Sequence, residues 1–117
     1  MSNDVLELSQ GNTYSIIINV TNPDGSIKDL TGTISMKFAL AARRYATPLI
    51  ELTYGTDNEL TLVNAELGQI RLVLNHTELN TLPEGRYYFE IRQVNVFNEP
   101  ITLVKRDITI RETLIKQ

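Results

Sequence analysis

The chain has no cysteine, no tryptophan and a single histidine, His76. Without cysteine there is neither a disulfide nor a thiolate metal site. Small extracellular β-domains often carry a disulfide, so this absence leans towards synthesis in a reducing cytoplasm. A lone imidazole serves a triad or a metal centre only with partners that orient it. No spacing supplies them, and His76 is expected at the surface. A basic excess is also missing: 11 Lys and Arg stand against 14 Asp and Glu, a net charge of −3. That leaves no electrostatic footprint for nucleic acid. Apolar runs are too short for a membrane-spanning helix. The opening stretch MSNDVLELSQG has neither the basic nor the apolar region of a secretory signal. Nucleic acid and membrane are therefore not expected as partners.

What is present is alternation. With 117 residues, 42% apolar and 21% charged, the expectation is one domain, 1–117, around one core. A period of two puts every second side chain on one side of a strand. It places Tyr14, Ile16, Ile18 and Val20 inward, then Ile34, Met36, Phe38 and Leu40, then Ile50, Leu52 and Tyr54. Further on it places Ile70, Leu72 and Leu74 inward, then Tyr87, Phe89 and Ile91, and finally Ile101, Leu103, Ile108 and Ile110. Leu60 and Leu62 mark a short strand, and residues 5–8 and 27–30 read as short strands too. Asn22-Pro23-Asp24-Gly25, residues 55–58, 64–68 and Pro83-Glu84-Gly85 carry turn chemistry. About eight strands at 8–12-residue spacing suggest an all-β sandwich or barrel of antiparallel strands. Residues 75–82 break the period. Asn75 with Glu78 three positions on resembles a capping box, and Leu79 and Leu82 share a helical face, so one short helical turn is expected near residues 76–82. Residues 112–117 are polar apart from Leu114 and Ile115, an end expected to fray or to dock on a neighbour.

No constellation of catalytic groups is visible. The carboxylates are spread singly, and the nearest approach to a calcium loop, Asp57-Asn58-Glu59, reads better as a turn. The expectation is no enzyme, no cofactor and no metal. Interaction residues are easier to nominate. Arg43 and Arg44, followed by Tyr45, form a small basic-aromatic cluster: either a solvated loop or a contact for an acidic partner surface. Val73, Val94, Val96 and Val104 fall opposite the core-facing residues of their strands, and Phe97 falls at a loop tip. If they adjoin, they form a patch of the kind that marks an interface; otherwise the strands curl and bury both faces. Of the five tyrosines, Tyr45 and Tyr88 are left free of the core, a thin platform for a sugar.

Taken in order, an alternating strand from Tyr14 to Val20, a Pro-Asp-Gly turn and Asp29-Leu30-Thr31-Gly32 precede a strand with Met36 and Phe38. Gly68-Gln69-Ile70-Arg71-Leu72, Leu82-Pro83-Glu84-Gly85-Arg86-Tyr87 and Asp107-Ile108-Thr109-Ile110 follow. The chain so read resembles the immunoglobulin-like β-sandwich modules of tailed bacteriophages, most of all the N-terminal domain of baseplate upper proteins and tail-fibre attachment domains. The resemblance covers nearly the whole chain and implies an immunoglobulin-like sandwich with no catalytic residues. It implies a non-enzymatic virion structural protein, made in the host bacterial cytoplasm, that docks on tail, baseplate, neck or capsid. Its partners would be other virion proteins, with a homo-oligomer or ring in the particle. In that family a fibre or receptor-binding region usually follows; its absence after Gln117 favours an adaptor or a capsid decoration protein. A carbohydrate-binding or adhesin module is the alternative.

Overall fold

The computed structural model describes residues 6–113. The expectations for residue 5 and for residues 114–117 lie outside the described residues. Eight strands and one helical turn follow in order: β1 (Leu6–Ser9), β2 (Tyr14–Asn19), β3 (Ser35–Ala41), β4 (Ile50–Thr53), β5 (Leu60–Asn64), β6 (Gln69–Leu74), α1 (His76–Leu79), β7 (Gly85–Val94) and β8 (Pro100–Arg111). They form a five-stranded sheet, β1-β8-β7-β3-β4, facing a three-stranded sheet, β2-β6-β5. Two such sheets enclosing one core make a sandwich of the immunoglobulin-like class, with its strands divided differently from those of antibody domains. A fold-specific detail accompanies it: the Tyr87 hydroxyl, early in β7, donates to the Pro83 carbonyl oxygen at 2.6 Å, the tyrosine corner of such folds.

The inward residues of both sheets meet in one core. Phe38, Leu40, Leu60, Ile70, Leu72, Leu74, Ile91, Ile108 and Ile110 have no exposed surface. The rings of Phe38 and Phe89 pack at a centroid distance of 5.3 Å, tilted by 43°, within the range of favourable aromatic pairs. Burial of each such side chain contributes about 1.5–3 kcal/mol, and this is what holds together a chain without staples.

Five departures from the expected pattern have a local reason. First, β1 pairs with β8 in parallel, Leu6 opposite Ile108, so the sheet is not wholly antiparallel. After β1 the chain crosses to the other sheet rather than making a hairpin. The crossing is held by Gln10 Nε2 on the Leu82 carbonyl (2.6 Å) and the Gly11 amide on Asn80 Oδ1 (2.8 Å). Second, Ile34 is not inward but 60% exposed; it precedes β3, beyond the end of the core. Third, residues 27–30 make no strand, only an isolated Thr21–Ile27 bridge. Leu30 is nonetheless fully buried, and its amide donates to the Ala65 carbonyl at 2.7 Å. Fourth, the β7–β8 register shifts between Ile91 and Arg92, whose partners are Val104 and Thr102. Leu103 is the extra residue of a bulge, and a bulge reverses side-chain parity beyond it. Val104 therefore shares the side of Ile91 and packs on the core; it does not lie on the outer face.

Fifth, α1 spans fewer residues than the expected turn, and Asn75 makes no side-chain capping bond. Its side-chain Nδ2 instead donates to Glu59 Oε2 at 3.1 Å. The open end of α1 is met from far along the chain: Thr13 Oγ1 accepts the His76 backbone N–H at 3.0 Å and lies 3.0 Å from His76 Nδ1. Leu79 and Leu82 are buried as the spacing predicts.

One glycine is required by close approach. Gly68 has φ +68°, and a Cβ there would meet the Lys28 carbonyl oxygen at 2.4 Å and the Val20 carbonyl oxygen at 2.8 Å. This turn closes the β5–β6 hairpin and brings the β2–β3 connection against it through the Val20 amide and Gly68 carbonyl (2.8 Å).

Candidate docking surface

The outer face of the five-stranded sheet follows from register. With Met36 and Phe38 inward, Ser35, Lys37 and Ala39 point out; with Tyr87, Phe89 and Ile91 inward, Arg86, Tyr88, Glu90, Arg92 and Val94 point out. Ala39 lies opposite Glu90, Lys37 opposite Arg92 and Ser35 opposite Val94. Small side chains at Ser35, Ala39 and Ala41 leave a trough, and the connection between β3 and β4 arches over one end of it. The result is an open groove of about 500 Å³, lined by Ala39, Arg43, Tyr45, Tyr88, Arg92 and Val94 among others.

The arch has a defined shape. The Ala46 amide donates to the Arg43 carbonyl at 3.2 Å, and the Leu49 amide to the Leu40 carbonyl at 2.7 Å. Tyr45 sits at φ 66°, a conformation uncommon for a bulky side chain, with its ring fully in solvent. The Arg44 guanidinium carbon stands 4.9 Å from the centre of the Tyr88 ring, a cation–π contact. Tyr88 is therefore buried although it belongs to the outer face. Burial, and after it the neighbouring Glu90, push its phenol above the usual tyrosine value. With Tyr88 covered, Tyr45 is left as the one free ring of the expected sugar platform.

Apart from Val104, which packs on the core, the residues singled out from sequence fall into three groups. Arg43, Tyr45 and Val94 line this groove, and Arg44 closes over its Tyr88 floor. Val96 and Phe97 are exposed at the β7–β8 turn. There Asn95 Oδ1 accepts from the amides of Phe97 and Glu99, both at 3.0 Å, which fixes the loop. Val73 lies on the other sheet, half-buried opposite Ser15, so the valines do not join into one patch. The outward cations Lys37, Arg86 and Arg92 were not singled out from sequence. Their signal was available in the parity of β3 and β7, where each stands between two inward residues.

His76 is partly exposed against Thr13. Asp57 Oδ2 accepts the Thr53 amide at 2.7 Å within its turn. Among the described residues no group of three His, Cys, Asp or Glu is placed to hold a metal ion.

No family model matches the chain, and no curated protein matches it. Among solved structures, CopC from Methylosinus trichosporium OB3b is similar at a TM-score of 0.52 and 8% identity, over 98% of this chain and 91% of that one. The V domain of amphioxus IgVJ-C2 aligns at a TM-score of 0.34 and 10% identity, over 91% of this chain and 99% of that one. At such identities the CopC likeness concerns the fold alone. The chain is an all-β immunoglobulin-like sandwich.

Proposed function

We propose that this protein is a non-enzymatic structural module of a tailed-bacteriophage particle. It docks on tail, baseplate, neck or capsid, works in the virion, and is made in the host cytoplasm. The strand-and-turn motifs that resemble phage sandwich modules supply the particle. The observation that carries the docking role is the convergence of Arg43, Tyr45 and Val94 on one groove of a rigid sheet face. A sandwich holds such a face in place without ordering cost at the moment of binding, which favours affinity. Electron microscopy of particles assembled with and without this protein tests the reading. The expected result is density for a sandwich at one structural position, lost in the deletion. Particles identical with and without the protein would refute it.

A further inference from the structure

Charge is distributed unevenly over this acidic chain. On the outer face of the five-stranded sheet and its arch stand seven cations: Lys37, Arg43, Arg44, Arg86, Arg92, Lys105 and Arg111. Four carboxylates, Glu7, Glu51, Glu90 and Asp107, share it. The local balance is +3. Elsewhere among the described residues nine carboxylates face three cations, a balance of −6. Among the described residues the Arg111–Glu7 pair at 3.0 Å is the one salt bridge, and the side chains of Lys37, Arg43, Arg86, Arg92 and Lys105 make neither salt bridge nor hydrogen bond with any of these residues. Away from this face, Glu59 at the end of the β4–β5 connection reaches the start of α1, where Asn75 Nδ2 donates to its carboxylate at 3.1 Å and its carbonyl accepts the Val73 amide at 2.8 Å; Asp57 precedes it in the same connection and Glu78 lies in α1. There burial, then Glu59, then Asp57, raise the Glu78 carboxyl above its ordinary value. One chain thus carries an unpaired cationic face and, elsewhere, an uncompensated anionic surface.

We infer that the groove face receives the acidic β4–β5 and α1 surface of a second copy of this chain, head to tail. The inference rests on the docking reading above and names its partner. Because the two surfaces differ, the contact is heterologous: it closes into a ring when the rotation allows and otherwise extends as a filament. The face is smaller than a standard interface. Five strands about 4.8 Å apart, with roughly seven residues of 3.3 Å rise, span on the order of 500 Å² before side-chain relief. Stable interfaces bury about 800 Å² per partner. The contact is therefore modest in area and strongly electrostatic, so salt weakens it.

The test is sedimentation velocity of the full chain over a concentration series at low and high salt. Wild type is expected to self-associate at about 50 mM salt, with an association constant at least about tenfold lower at about 500 mM, where screening is several-fold shorter in range. Lys37→Glu with Arg92→Glu should give a monomer, as should Glu59→Lys with Glu78→Lys. An equimolar mixture of the two double variants should regain association, because each reversed surface meets a reversed partner. Circular dichroism verifies folding, and the neutral pair Lys37→Gln with Arg92→Gln replaces the reversal if that variant does not fold. A wild-type monomer at every concentration overturns the inference, as does association indifferent to salt and to these variants, or a mixture that stays monomeric. Particle microscopy is independent of this outcome, so a failed self-contact and a failed virion role are told apart.

Discussion

The two sheets bury equivalent inner faces and finish their outer faces differently. On the three-stranded sheet the exposed polar groups are tied to one another: Arg71 Nε donates to Ser15 Oγ at 2.9 Å, and Gln69 Nε2 to Asn19 Oδ1 at 3.2 Å. On the five-stranded sheet Lys37 lies opposite Arg92 with no acid between them. Like charges directly opposite each other destabilise a strand pair. A surface selected for stability alone would place an acid at one of the two positions. On the inferred self-contact, the contrast separates what the molecule needs in order to fold from what it would present to a second copy, and mutations can test that separation.

Phe38→Ala should have the largest effect, because its ring is fully buried against Phe89 where the two sheets meet. The expected loss is about 3–5 kcal/mol in urea unfolding, with both sheets melting together. A loss under about 1 kcal/mol would mean that the sheets do not share this core. Gly68→Ala should come next. A Cβ there runs into two carbonyl oxygens at positive φ, so the loss should exceed about 1 kcal/mol. Near-neutral stability would show that the β5–β6 turn relaxes freely. Tyr87→Phe removes the hydroxyl that bonds Pro83 and should lower stability by about 1 kcal/mol. Lys37→Glu with Arg92→Glu should change monomer stability by less than about 0.5 kcal/mol, as exposed substitutions do. A large destabilisation would make this face structural and erase the contrast between the sheets.

The smallest effect is one of pH. The folded Glu78 carboxyl titrates above the ordinary 4.5. The native state therefore holds this proton more readily than the unfolded chain. The resulting contribution is present below 4.5 and is lost as pH rises through the raised folded value. Asp24 and Asp29 work in the opposite sense. Held below 3.8 by hydrogen bonds from Ser26 and Thr31, they add stability that is lost as pH falls through their folded values. Glu78→Gln should flatten the stability profile just above pH 4.5 and leave the acid limb below 3.8 unchanged. Thermal melts across this range measure both. A profile that Glu78→Gln does not alter would mean that burial, Glu59 and Asp57 do not raise this carboxyl.

Much of the architecture was legible in the sequence because alternation is a local property. Met36, Phe38, Ile70, Leu72, Phe89 and Ile91 each declare their side within five or six residues, and a buried face tolerates no slip of register. The helical turn was legible for the same reason, from Leu79 and Leu82. The face of Val104 was not: Ile101 and Leu103 against Ile108 and Ile110 announce a change of parity somewhere between them, and only the pairing with β7 places the extra residue at Leu103. The cap of α1 was hidden because its acceptor, Thr13, is brought there by the β2–β6 pairing.

The sequence by itself determined most of the strands, their turns, most of the inward set and the absence of a thiol-based centre, since these depend on period, composition and turn chemistry. Tertiary structure alone decided the parallel β1–β8 pair, the arch that seats Arg44 over Tyr88, and the gathering of seven cations on one side of an acidic chain. Each of these depends on which strands become neighbours. That choice is made by long-range packing of apolar faces, to which the outward residues contribute little and by which they are nonetheless placed.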